Sequence, residues 1–151
     1  NVSNRLDSNL FSGNGGLAID LGVTNGFSFL GADGVTPNDS GDGDAGPNNY
    51  QNFPVITAAN SSGLVQGTLN SVPNSTFTLD FYGSNSCNVT GADAQPVLGT
   101  TFVVTDANGN ATFDTTLTAA PALGEFVTAL ATDASSLSTS EFSACVQAGP
   151  P

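Results

Sequence analysis

The chain has 151 residues and 15.1 kDa, with 13 Asp plus Glu against one cationic side chain, Arg5, for a net charge of −12. So acidic a chain has no basic footprint for a nucleic acid and is repelled by an anionic membrane surface. No apolar run approaches the roughly 20 residues of a membrane-spanning helix, and the 38% hydrophobic residues suffice for the core of one domain.

Residues 1–22, "NVSNRLDSNLFSGNGGLAIDLG", carry apolar side chains at Val2, Leu6, Leu10, Phe11, Leu17, Ile19 and Leu21 among recurrent Asn. This spacing predicts an extended, β-helix-like coil. Such a coil buries its apolar face only against neighbouring coils. With a single coil in the chain, Leu6, Leu10, Phe11, Leu17, Ile19 and Leu21 become the expected surface for pairing with another copy. The alternative is that they add edge strands to the domain that follows. Residues 23–52 read as a linker, rich in Gly, Pro and acid, that contains "GVTPNDSGDGDAGPNN".

From residue 53 the side chains alternate with period two. The segments 53–60, 63–70, 75–83, 97–106, 110–118, 124–133 and 139–147 read as strands, separated by Asn, Ser, Pro and Gly clusters. Asn108-Gly109 is a hairpin signal. The expected architecture is all-β: two antiparallel sheets packed as a sandwich over 53–151, with Phe77, Leu79, Phe81, Val104 and Phe113 inside. Cys87 and Cys145 supply one disulfide in an oxidising compartment, or else two buried thiols. The six Asn-x-Ser/Thr sequons, at Asn1, Asn38, Asn60, Asn74, Asn88 and Asn110, are what so Asn- and Ser-rich a chain contains by chance. The start at Asn1, without Met or leader, suits a processed precursor or a fragment.

The stretches "GLAIDLGVTNGF", "GADGVTPNDSGDGDAGPNNYQNFPVIT", "GTLNSVPNSTFTLDFYGSNSC", "TDANGNATFDTTL" and "FVTALATDASSLSTSEFSACV" resemble a junction found in large secreted bacterial surface proteins. There a right-handed parallel β-helix runs into an acidic loop and an immunoglobulin-like β-sandwich. The resemblance covers nearly the whole chain and implies that architecture, an extracellular location and no enzymatic activity. Two stretches depart from the pattern. "VTNGFSFLGA" (23–32) is inserted before the acidic loop, and "ASSLS" (134–138) lacks the usual Gly-Asn turn.

Asp39, Asp42 and Asp44 cannot sit together unneutralised, since like charges raise one another's pKa or force the loop apart. A hard divalent cation resolves this. Ca²⁺ takes six to eight oxygens, including carbonyls from flexible turns. Asp33, Asn38 and Asn48 are the expected remaining ligands. The loop is not an EF-hand, because Tyr50 and Phe53 stand where its bidentate Glu would fall. Asp106, Asn108 and Asn110 form a second, weaker oxygen set that a plain turn explains better, and Asp133 with Glu141 a third.

Without His or Lys the chain has no Ser-His-Asp or Cys-His arrangement, no Schiff-base lysine and no zinc cluster. It is expected not to be an enzyme. Nor can it form Lys–Asn isopeptide staples. The first functional expectation is an extracellular structural module that associates with copies of itself through β-strand addition, in a filament, sheath or layer, rigidified by Ca²⁺. The second is an adhesin or stalk domain that binds carbohydrate or protein through an exposed aromatic patch, with Phe27, Phe29, Tyr50 and Phe53 as candidates.

Overall fold

The computed structural model describes residues 2–22, 33–87 and 96–151. Asn1, Phe27, Phe29 and Asn88, singled out above, lie outside the described residues, as does the insertion 23–32. The fold is all-β. Seven strands occupy the expected segments: β1 (Val55–Ala59), β2 (Leu64–Asn70), β3 (Thr76–Ser84), β4 (Val97–Val104), β5 (Asn110–Thr116), β6 (Phe126–Asp133) and β7 (Val146–Gln147). They form two antiparallel sheets, one ordered β1-β2-β5 and the other β4-β3-β6-β7. The chain crosses between sheets after β2, β4 and β5, an immunoglobulin-like Greek key.

The core follows from period-two alternation. Phe77, Leu79 and Phe81 of β3 point between the sheets, where they meet Val65, Leu69, Phe113, Leu117, Val127 and Ala129. The rings of Phe81 and Phe113 meet edge to face at 5.6 Å. On β4 the phase is opposite to the one expected. Val103 is inside, whereas Val104 is 65% exposed and Phe102 70% exposed. Phe102, Val103 and Val104 are all apolar, so hydrophobicity alone does not say which face is buried.

Asn108-Gly109 does not close a hairpin, because β4 and β5 belong to different sheets. The turn is nonetheless tight. Gly109 has φ +81 and its carbonyl accepts from Ser71 N–H at 2.9 Å. A Cβ there would collide with the Ser71 carbonyl, so only glycine fits.

The final predicted strand is regular over only two residues. Upstream of them, Ser140 and Ser143 bond to Ala131 and Ala129 of β6 twice over. Their N–H groups donate to the β6 carbonyls, and their hydroxyls accept from the β6 amides. Side-chain oxygens thus replace a backbone ladder. Cys87, just after β3, is bonded to Cys145, just before β7, with Cα atoms 5.8 Å apart.

No strand is present among residues 2–22, so the β-helix-like coil is not seen. The segment lies across the outer face of the four-stranded sheet. Ile19 and Leu21 are buried with Tyr82, Leu130 and Phe142, and Leu6 and Phe11 pack against them. Phe11, Tyr82 and Phe142 form an edge-to-face triangle with centroids 5.2 to 6.3 Å apart. Leu6, Phe11, Ile19 and Leu21, expected to face another copy, are therefore engaged within their own chain. Leu10 is the exception at 69% exposed, and Leu17 is partly exposed. The segment covers a sheet face and does not extend a sheet edge. This also explains why Asp80 and Tyr82, on the face of β3 opposite the core, are both buried.

Candidate metal centre

The acidic loop is fixed by the sandwich beneath it. Gly41 (φ +78) and Asp42 (φ +54) adopt left-handed conformations, which short polar residues and glycine tolerate. They turn the chain so that Asp42 points inward. Its Oδ2 accepts from Ser71 Oγ at 2.5 Å and its Oδ1 from Asn52 N at 3.2 Å. Asn52 is buried and holds the loop from below. Its amide donates to the carbonyls of Asp39 (2.7 Å) and Asn70 (2.9 Å), and its oxygen accepts from Asp39 N at 3.0 Å. Asn70 Oδ1 accepts from Gly41 N at 2.8 Å.

This scaffold brings one carboxylate oxygen of each of Asp39, Asp42 and Asp44 within 4.8 Å of the others. That separation is close to the span of two Ca–O bonds of about 2.3–2.6 Å, so a small inward shift of the side chains would let one ion touch all three. The donor set is all hard oxygen, which suits Ca²⁺. Asp42 is 7% exposed. Burial pushes its carboxyl up to about 6, against the pull of Ser71 and Asn52, and the charges of Asp39 and Asp44 push the same way. Asp44 is raised by desolvation and by Asp39. A cation among these oxygens would remove the repulsion that lifts both groups.

The side chains of Asn38 and Asn48, expected as further ligands, have hydrogen-bond partners of their own. Asn38 spends both ends of its amide on Phe53, accepting from the backbone N at 2.9 Å and donating to the carbonyl at 2.8 Å. Asn48 is buried and joined to the N-terminal segment. Its oxygen accepts from Asn4 N and Nδ2, both at 2.9 Å, and its amide donates to the carbonyls of Asn4 (2.8 Å) and Thr139 (2.9 Å). Asp33 lies outside the carboxylate trio.

The second set is a closed turn. Asp106 Oδ1 accepts from the backbone of Asn108 (2.8 Å) and Asn110 (2.9 Å), and Asn110 Oδ1 accepts from Asn70. Asp133 and Glu141 are not a pair. Asp133 caps its own turn through Ser135. Glu141, 1% exposed, accepts from Leu21 N and Thr36 N, each at 2.7 Å. Desolvation raises the Glu141 carboxyl, partly offset by those bonds. Glu141 thus fastens both the end of the N-terminal segment and the entry to the acidic loop onto the sandwich.

Sequence reasoning missed Asn52, Asn70 and Ser71, and it paired Glu141 with Asp133 rather than with the backbone of Leu21 and Thr36. Their only signal is position. Asn52 precedes "FP", Asn70-Ser71 ends a strand, and Glu141 is an acid inside an apolar-alternating run. In a chain this rich in Asn and Ser, such positions do not stand out.

Among the described residues, no helix is long and apolar enough to cross a membrane. No family model matches the chain, and no curated protein is similar to it.

Proposed function

We propose that the chain is a non-enzymatic extracellular structural module that joins copies of itself by β-strand addition, with Ca²⁺ at Asp39, Asp42 and Asp44 stiffening the connection between the N-terminal segment and the sandwich. The observation that carries the association is the outer edge of β4. This strand ends its sheet. Thr105 N donates inward to Ser75 O, so by alternation the backbone groups of Thr100, Phe102 and Val104 face outward. Among the described residues, only the start of the edge is covered, where the Leu98 carbonyl accepts from Ala119 N.

Edge strands are usually guarded by charge or Pro. Residues 97–105 contain neither, and Phe102 and Val104 are exposed there. Two copies, each of net charge −12, would meet at this edge without opposing carboxylates. The expectation that the N-terminal coil supplies the adding strand gives way to this edge, because most of that coil's apolar side chains are already engaged. The Cys87–Cys145 disulfide suits an oxidising, extracellular location. Of the aromatic candidates for a binding surface, Tyr50 and Phe53 are only partly exposed, and among the described residues the exposed aromatic is Phe102.

Light scattering and electron microscopy, with Ca²⁺ and with EDTA, test the reading. Wild type is expected to assemble with Ca²⁺, and Phe102→Lys to remain monomeric with unchanged melting. A wild type that is monomeric at every concentration would overturn it.

A further inference from the structure

The open edge of β4 is bounded at both ends by bonds within the chain. At its start the Leu98 carbonyl accepts from Ala119 N (2.8 Å) and from Thr118 Oγ1 (3.0 Å). Past its end both backbone groups of Asp106 are taken. Its N donates to the Asn110 carbonyl, and its own carbonyl accepts from Asn74 N and Gly109 N. Between these limits the outward-facing backbone belongs to Thr100, Phe102 and Val104. Their side chains leave the sheet on one side and are exposed. The free backbone and the exposed apolar side chains therefore share one centre, Phe102.

Among the described residues, the other sheet edges match it poorly. β7 is regular over only two residues. The end of β1 is bonded to Gly149, whose N donates to the Ala59 carbonyl and whose carbonyl accepts from Ser61 N. β5 carries the exposed Asp114, the kind of charge that guards an edge. The matching edge is β4 of a second copy. Two copies can bring this edge together in two ways. Turned about the strand axis they pair parallel, and their Phe102 rings leave opposite faces and stay in water. Turned about the sheet normal they pair antiparallel, and both rings leave the same face and meet. The antiparallel form joins apolar side chains as well as backbone.

We propose that β4 pairs antiparallel with β4 of a second copy about a two-fold axis at Phe102, so that Phe102 faces Phe102 and Thr100 faces Val104 across the axis. This rests on the self-association proposed above and names its partner strand and register. Moving the axis to Thr101 would set Val104 against Leu98, whose carbonyl is taken. Moving it to Val103 would set Thr100 against Asp106, whose backbone is taken. Centred on Phe102, the pairing uses Thr100, Phe102 and Val104 of both copies, and Asp106 falls opposite Leu98 rather than another acid. The two four-stranded sheets become one continuous sheet. Each edge consumes the other, so this contact closes at two chains.

Disulfide trapping tests the register. Across the proposed axis Thr100 and Val104 have Cα atoms about 5.5 Å apart, within disulfide reach. Thr100 and its own copy lie about 13 Å apart along the strands, beyond it. Thr100→Cys and Val104→Cys proteins are oxidised separately and as an equimolar mixture, with the Cys87–Cys145 bond intact, and read on non-reducing gels. The mixture is expected to give at least about tenfold more covalent dimer than either protein alone, as reaction within a complex outpaces collision. Wild type is expected to sediment as two chains. Thr100→Cys loses the hydroxyl bond to Asp80 (2.6 Å), so Phe102→Cys, which keeps it, is the second variant and should cross-link with itself. Equal yields from the mixture and the separate proteins, or no self-linking by Phe102→Cys, while wild type still sediments as two or more chains, would overturn this register and leave the association standing. A wild type that stays a single chain at every concentration would overturn both.

Discussion

Asp42 holds a carboxylate where burial works against its charge. Its carboxyl rises from 3.8 to about 6, so the folded chain holds this proton more tightly than the unfolded one. That contribution to stability is fully present below the unfolded value and is lost as pH rises through about 6. The raised carboxyls of Asp80 and Glu141 act with the same sign. In EDTA the protein is therefore expected to melt at a higher temperature near pH 5 than near pH 7. Ca²⁺ binds the ionised loop, so it should raise the melting temperature at pH 7 far more than at pH 5. Melting curves across pH, with and without the ion, check both halves. Glu141 offers a second test at this scale. Gln at 141 has one oxygen for two N–H donors and turns an NH₂ toward the other. Glu141→Gln should cost about 1–3 kcal/mol and expose residues 2–22 to protease, measured by urea denaturation and limited proteolysis.

Strands were legible where alternation is unambiguous. Phe77, Leu79 and Phe81 alternate with Thr76, Thr78, Asp80 and Tyr82, and their burial followed directly. On β4 the three successive apolar residues from Phe102 to Val104 gave no phase, and pairing with β3 decided it. The reach of Asn108-Gly109 was misread for a related reason. A turn signal reports local conformation, and which sheet the next strand joins depends on distant partners. The segment 138–143, rich in Ser and Thr, reads as part of a strand; it is buried with the Ser140 and Ser143 hydroxyls bonded to β6 in place of a regular ladder. For the core, Phe77→Ala should cost about 3–5 kcal/mol. The outer layer gives the sharper comparison. Ile19→Ala should cost about 2–5 kcal/mol, as at a core site, whereas a freely extended N-terminal segment would show almost no loss. Urea unfolding of both variants separates these outcomes.

Across the whole molecule, two ties reach from one end of the chain toward the other. The disulfide closes a 58-residue separation. Loop-closure entropy gives that bond about 4 kcal/mol, so reduction should lower stability by about that amount in denaturant titrations. The second tie is polar. Asn48 and Glu141 gather Asn4, Leu21, Thr36 and Thr139, so the N-terminal segment and the acidic loop share one footing on the sandwich. The acid-rich loop itself could be read from the sequence, since three carboxylates in six residues with one cation in the chain pose an electrostatic problem by composition alone. Its scaffold could not, because Asn52, Asn70 and Ser71 are ordinary polar residues in sequence until the fold brings them beneath it. An ion at this loop would bind a shaped site, and at 100 times its dissociation constant it would add about 2.7 kcal/mol by mass action.

Calorimetric titration of Ca²⁺ into wild type and into the Asp42→Asn, Asp44→Asn double variant tests that site most directly. The expected result is saturable binding by wild type that disappears in the variant. Equal heats from the two proteins, or no binding by wild type, would contradict it.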